Sequence, residues 1–236
     1  MLNESLAPAA LPPDLRVYAI GDVHGCDSRL GLLHQAIARD AAARPVPRIV
    51  LVHLGDYVDR GPDSAGVIRR LLGPSPVPGA EMVNLRGNHE ELLLDGYGPQ
   101  AVMEREWVWV ANGGDKTLLS YGERPESGAR DSIPGAHLDF MRALPLTWRA
   151  GGYLFVHAGV RPGVAIEAQD PHDLIWIREP FLRSTEDFGA VVVHGHTPRN
   201  AVEIRPNRIN IDTGAVFGGP LTCLVLEGDR MGFFEG

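Results

Sequence analysis

Cysteine is scarce: Cys26 and Cys223 are the only two in 236 residues. A pair so far apart makes no disulfide framework and fits a reducing compartment. No apolar run approaches the ~18 residues of a membrane-spanning helix. Residues 1–14 lack both a basic start and an unbroken apolar stretch, so they read as a flexible arm and not as a signal peptide. Positive charge is short as well. The formal net charge is -8, and Lys116 is the only lysine. Broad attraction to nucleic acid or an anionic membrane is excluded on that ground, and an anionic substrate must be drawn by a local positive site. The expected location is the cytoplasm.

What is present is ordinary for a globular protein. Hydrophobic residues make up 44% and charged residues 22%, enough apolar content to build a sizeable core. Three times in the first half, a short apolar run ends in a polar turn and gives way to helical spacing. Arg16–Ile20 ends in GDVHG, and Leu30, Leu33 and Ile37 follow at helical spacing, with Asp27 or Ser28 as the N-cap. The run over 48–54 ends in LGDYVDRG, and Asp63 caps the next helix. Met82–Leu85 ends in RGNHE. This alternation predicts an α/β fold with functional groups at the carboxyl ends of buried strands. The middle, 97–144, is less regular and holds Trp107, Trp109, the NGG turn at 112–114 and a helix over 137–144. Gly151-Gly152 predicts a hairpin between 146–150 and 153–157. Further strands are expected at 190–194, 208–211, 221–226 and 231–234. With no linker in sight, residues 15–236 are expected to form one domain.

Five strand ends deliver polar groups: Asp22 and His24; Asp56 and Asp59; Asn88 and His89; His157; and His194 with His196. Singly, each is ordinary, since an Asp before a turn caps it and a lone histidine is usually a hydrogen-bonded structural residue. Together, carboxylate, imidazole and carboxamide groups make a donor set for two metals, with no thiolate needed.

GDVHG at 21–25, GDYVDRG at 55–61 and GNHE at 87–90 resemble the signature blocks of the phosphoprotein phosphatase family, bacterial and phage type. HAG at 157–159 and GHTP at 195–198 resemble its later metal-binding segments. The resemblance implies a calcineurin-like metallophosphoesterase fold, with two packed mixed β-sheets flanked by helices. It implies two divalent metal ions, with Mn, Fe or Zn all compatible. Asp22 and His24 would hold the first, Asn88, His157 and His196 the second, and Asp56 would bridge them. A bridging hydroxide would attack phosphorus, with His89 as general acid and Asp59 as its partner. Arg60 and Arg178 would bind phosphate, as would Asn88, and Arg86 would either join them or brace its loop.

The activity so implied is phosphomonoester hydrolysis on a phosphoprotein or small phosphoester, foremost as a serine/threonine protein phosphatase. The alternative is a bis(5'-nucleosyl)-tetraphosphatase or capped-RNA pyrophosphohydrolase of the same fold, and phosphotyrosine activity is also open. Relatives cleaving diadenosine tetraphosphate usually lack the acidic residue matching Asp59 and carry Asp in place of Glu90. An inactive binding module is disfavoured because every ligand position and His89 are present. His194 reads as packed beside the site and His53 as a core histidine. Trp107 and Trp109 read as core residues, with a substrate-facing wall as the alternative, and Asp212 is a further candidate for facing the site.

Overall fold

A computed structural model of the protein describes residues 4–98, 100–124, 126 and 131–236. Its centre is a pair of mixed β-sheets. In the first, β1 (Ser5–Leu6), β11 (Arg230–Glu235), β10 (Thr222–Glu227), β2 (Leu15–Ile20), β3 (Arg48–His53) and β4 (Glu81–Asn84) lie in that order. β2, β3 and β4 run parallel, while β10 pairs antiparallel with β2. The second sheet orders β5 (Thr147–Ala150), β6 (Tyr153–Val156), β7 (Val191–His194), β9 (Arg208–Asn210) and β8 (Glu203–Ile204). β6, β7 and β9 are again parallel, and β5 and β6 form the expected hairpin.

The two sheets pack face to face. Val17, Ala19, Val50 and Val52 from the first meet Tyr153, Phe155, Val193 and Ile209 from the second in one buried cluster. Strands covered on both faces read as continuous apolar runs, not as alternation. This is why β2 is buried along its whole length and still accommodates Arg16, whose guanidinium is 2.7 Å from Glu227.

Helices cover the outer faces. On the first sheet lie α1 (Asp27–Ala43), α2 (Ser64–Leu72) and α3 (Asn88–Gly96). α1 buries Leu30, Leu33 and Ile37, as its spacing predicts. Its cap differs from expectation. Neither Asp27 nor Ser28 caps it; the residue before the helix is Cys26, which makes no side-chain cap. Asp27 instead takes a two-pronged bond from Arg70, at 2.7 and 2.8 Å, tying α1 to α2. Asp63 does cap α2, accepting from the Gly66 N–H at 2.7 Å. The irregular middle contains α4 (Met103–Trp109), α5 (Asp115–Ser120) and α6 (Gly135–Ala143), and α7 (Pro171–Trp176) lies on the second sheet's side. Of these, only α6 was legible beforehand.

The expectation of a flexible arm over 1–14 needs correction for the described part, residues 4–14. β1 pairs with β11, and Ala7 N–H donates to the Asp229 carbonyl at 2.9 Å. Leu11 is buried, and the Tyr153 hydroxyl donates to the Ala9 carbonyl at 2.6 Å. Prolines and small residues concealed this, because edge pairing depends on a partner strand more than two hundred residues away. Residues 1–3 lie outside the described part. No helix among the described residues is long and apolar enough to cross a membrane.

Candidate dimetal site

Parallel strands put their carboxyl ends on one edge, and each sheet contributes such a set. The loops leaving β2, β3 and β4 are stitched together there. The N–H groups of Val23 and His24 both donate to the Asp56 carbonyl, at 3.2 and 2.7 Å. Glu90, fully buried on α3, accepts from the N–H groups of Asp56 and Gly87, each at 2.9 Å, and of Tyr57 at 2.7 Å. The second sheet joins through His157, whose Nδ1–H donates to the Leu54 carbonyl at 3.0 Å. It joins again through His196, whose backbone N–H donates to Asp22 Oδ2 at 3.0 Å.

Asp22, His24, Asp56, Asn88, His89, His157 and His196 are all buried. Two sets of side chains converge closely enough to share a cation, His24 with Asp56 and His89, and Asp56 with His157 and His196. Asp56 belongs to both. His24 Nε2 lies 3.4 Å from Asp56 Oδ2, and His157 Nε2 lies 3.3 Å from Asp56 Oδ1. Asn88 Oδ1 sits 3.0 Å from His157 Nε2 and 2.8 Å from His196 Nδ1. Asp22 Oδ1 is buried without a hydrogen-bond partner, the condition a cation would relieve. Oxygen and imidazole donors without sulfur suit a divalent cation of the Mn, Fe or Zn kind.

The electrostatics divide the imidazoles. Burial lowers the pKa of His24 to about 3 and of His196 to about 2, and lowers that of His157 as well. These rings are neutral and offer lone pairs. His89 goes the other way: burial opposes its charge, but the carboxylates of Asp56 and Asp59 outweigh that and raise it. Its Nδ1–H donates to Asp59 Oδ2 at 2.8 Å. So His89, though near enough to be a ligand, differs from the other three rings: a carboxylate holds its Nδ1–H and its charged form is favoured.

The two arginines expected at phosphate are present at the rim. Arg60 Nη1 donates to His24 Nε2 at 2.7 Å, and the exposed Arg178 donates through Nε to His196 Nε2 at 3.2 Å. Arg86, expected either to join them or to brace its loop, makes its hydrogen bonds elsewhere. Its Nη2 donates to the Arg142 carbonyl beside the end of α6, and its N–H to Pro145 at 2.9 Å. These contacts fit the second expectation, a brace between this loop and the end of α6. His194 is buried away from the converging sets, its Nδ1–H on the Gly195 carbonyl at 3.1 Å. His53 is buried against His34, 3.0 Å between Nε2 atoms.

Sequence reasoning missed several contributors. Trp109 is fully buried and donates its indole N–H to Asp59 Oδ1 at 3.0 Å, while Trp107 is 71% exposed. One core assignment thus fits and the other does not. Thr117, Trp176 and Phe217 also border the site and carried no local signal. Trp176 stands edge-on to His196 at 6.2 Å, and Phe217 lies 5.7 Å from the Arg60 guanidinium. Glu90 did carry a signal: an acid at the third position of a helix is placed to accept the N–H just before it.

The family model described as calcineurin-like phosphoesterase matches residues 15–223. Serine/threonine-protein phosphatase 1 of Salmonella typhimurium is 31% identical over 216 residues, covering 89% of this chain and 92% of its own. The symmetrical bis(5'-nucleosyl)-tetraphosphatase of Dechloromonas aromatica is 33% identical over 289 residues, covering 93% and 95%. A solved serine/threonine phosphatase of Saccharomyces cerevisiae, similar to human PP5, superposes with a TM-score of 0.60 at 18% identity, covering 95% and 81%; at that identity the likeness concerns the fold. Fold, strand-end donors and a match across most of the length agree, and the chain belongs to the calcineurin-like phosphoesterase family, whose members are metal-dependent hydrolases.

Proposed function

We propose that this hydrolase is a phosphomonoesterase acting on phosphoserine and phosphothreonine in proteins. Asp22, His24 and Asp56 would hold one divalent cation, and Asp56, Asn88, His157 and His196 the other. The unpartnered Asp22 oxygen and the neutral buried imidazoles fit such a load. Bound there, the cations supply acidified water and neutralise charge on the phosphate oxygens. The chain's own groups do the rest. Arg60 and Arg178 grip the equatorial oxygens, where a planar guanidinium gives two parallel bonds. His89 gives its Nε2 proton to the departing oxygen, and Asp59 fixes the ring by its Nδ1–H.

One observation carries the choice of a phosphomonoester: the 2.8 Å bond between His89 Nδ1 and Asp59 Oδ2, wholly buried. A serine or threonine alkoxide is a poor leaving group and needs a proton as the bond breaks. A nucleotide phosphate leaves far more readily and needs little such help. The 31% identity to a serine/threonine phosphatase fits this reading, and the 33% identity to a symmetrical tetraphosphatase fits the other. A turnover panel of phosphoserine peptide, phosphotyrosine peptide and diadenosine tetraphosphate tests it. Preference for the dinucleotide by about 100-fold in kcat/KM, about 2.7 kcal/mol of transition-state binding, overturns it.

The dinucleotide reading has its own support. Phe217 is 66% exposed beside Arg60, and His172 stacks on Trp176 at 5.9 Å, near His196. An exposed aromatic face beside a phosphate-binding arginine suits a nucleobase, at about 1–3 kcal/mol per stacked base. Under this reading Phe217→Ala raises KM for diadenosine tetraphosphate and leaves KM for a phosphoserine peptide in place.

A further inference from the structure

The Asp59 carboxylate is held from both sides. Oδ2 takes the His89 Nδ1–H, and Oδ1 takes two donors from the middle segment, the Trp109 indole N–H at 3.0 Å and the Thr117 hydroxyl at 2.7 Å. Thr117 Oγ1 also accepts the Asp59 backbone N–H at 2.8 Å, and the Ser64 hydroxyl lies 3.1 Å from both. None of these groups except Trp109 and Thr117 belongs to the irregular middle of the chain, and both are fully buried.

The arrangement answers a mechanical need. The last torsion of an aspartate is soft, so its own covalent geometry does not choose the plane of its carboxylate. Asp59 also has a φ of 70°, in the left-handed region that a non-glycine residue holds only when its surroundings insist. Thr117 restrains the backbone and the carboxylate with one oxygen. Trp109 adds a second donor on the same carboxylate oxygen. The two glycines of the NGG turn make room for this. A Cβ on Gly113 would come within 2.7 Å of the Arg60 nitrogen, and one on Gly114 within 2.5 Å of the Trp109 ring.

We infer that Trp109 and Thr117 are positioning residues for proton delivery: by fixing the plane of the Asp59 carboxylate they aim the His89 imidazole at the leaving oxygen. The inference rests on the proposed role of His89 as proton donor. It gives segment 103–120 a task in the reaction, that of a bracket for the acid.

The test compares two leaving groups. A phosphoserine peptide needs protonation, whereas 2,4-dinitrophenyl phosphate departs without it. Trp109→Phe deletes one donor to the carboxylate, Thr117→Val deletes the other together with the acceptor of the Asp59 N–H, and Thr117→Ser keeps the hydroxyl. In kcat, the loss on phosphoserine is expected to exceed that on the dinitrophenyl ester by about tenfold or more in Thr117→Val and in Trp109→Phe, as for an acid slightly misplaced. Thr117→Ser is expected to restore the parent's ratio. Equal losses on both substrates in the two variants, or no loss, overturn the inference, since a merely structural role cannot discriminate leaving groups. His89→Asn separates the two levels. A selective loss there with none in Thr117→Val and Trp109→Phe sinks the bracket alone. No selective loss in His89→Asn sinks the acid role, and the bracket with it.

Discussion

Five non-glycine residues among those described have positive φ: His24, Asp56, Asp59, Arg60 and His196. All five belong to the candidate site. A loop that must leave its strand and still aim a side chain back at the strand's end has few backbone options, and the left-handed region is one of them. Each such residue costs about 1–3 kcal/mol, held by its neighbours. Glycines make the complementary concession. A Cβ on Gly195 would sit 2.0 Å from Asp22 Oδ1. Gly195→Ala is therefore expected to weaken Mn²⁺ binding by about 10- to 100-fold in a calorimetric titration, as the loss of a ligand's support does. Unchanged affinity would remove Asp22 from the ligand set. The two loop arginines separate by the same reasoning. If Arg178 binds phosphate as proposed, Arg178→Ala should lower kcat/KM by about tenfold or more. Arg86→Ala should leave kcat/KM near the parent's while costing about 1 kcal/mol in a urea titration, the worth of its bond to the Arg142 carbonyl. A reversal of these two results would return Arg86 to the phosphate.

Among elements, the strands were readable because each carries its own signal, an apolar run closed by glycine and polar residues. β3 and β6 stand within a residue or two of where the pattern puts them. α4, α5 and α7 were not readable. They are six or seven residues long, too short for helical periodicity to declare itself, and packing supplies their stability. The outer edge of the second sheet offers a pH test. Glu203 on β8 accepts from Arg208 on β9 at 2.9 Å, and that bond, with a second from Arg205, holds its carboxyl at about 2, against an ordinary value of 4.5. The folded pKa is depressed, so the stabilisation is full above about pH 4.5 and is lost as pH falls through about 2. Glu203→Gln should therefore lower the urea midpoint at pH 7, and the gap from the parent should shrink as pH is taken down toward 2. A gap that stays constant with pH would mean the pair contributes nothing.

For the whole molecule, the important fact is that the candidate ligands come from both sheets. Asp22, His24, Asp56 and Asn88 follow strands of the first, and His157 and His196 follow strands of the second. A cation held by these candidate ligands would join the two sheets at one edge. Saturating Mn²⁺ at 100 times its Kd is expected to stabilise the fold by about 2.7 kcal/mol per site, and a chelator to remove that gain. A thermal midpoint indifferent to both would argue against metal held between the sheets. The linear sequence by itself determined the α/β class, the strand ends and the residue types gathered there. Those are local matters: a strand's burial and a turn's glycines are written in neighbouring positions. Only the tertiary structure decided what meets what. Arg86 was set against a helix end, the first residues described were fastened to the last strand, and Trp109 was brought under Asp59, 50 positions away. No local pattern encodes such meetings, because they depend on which faces two distant elements bury against each other.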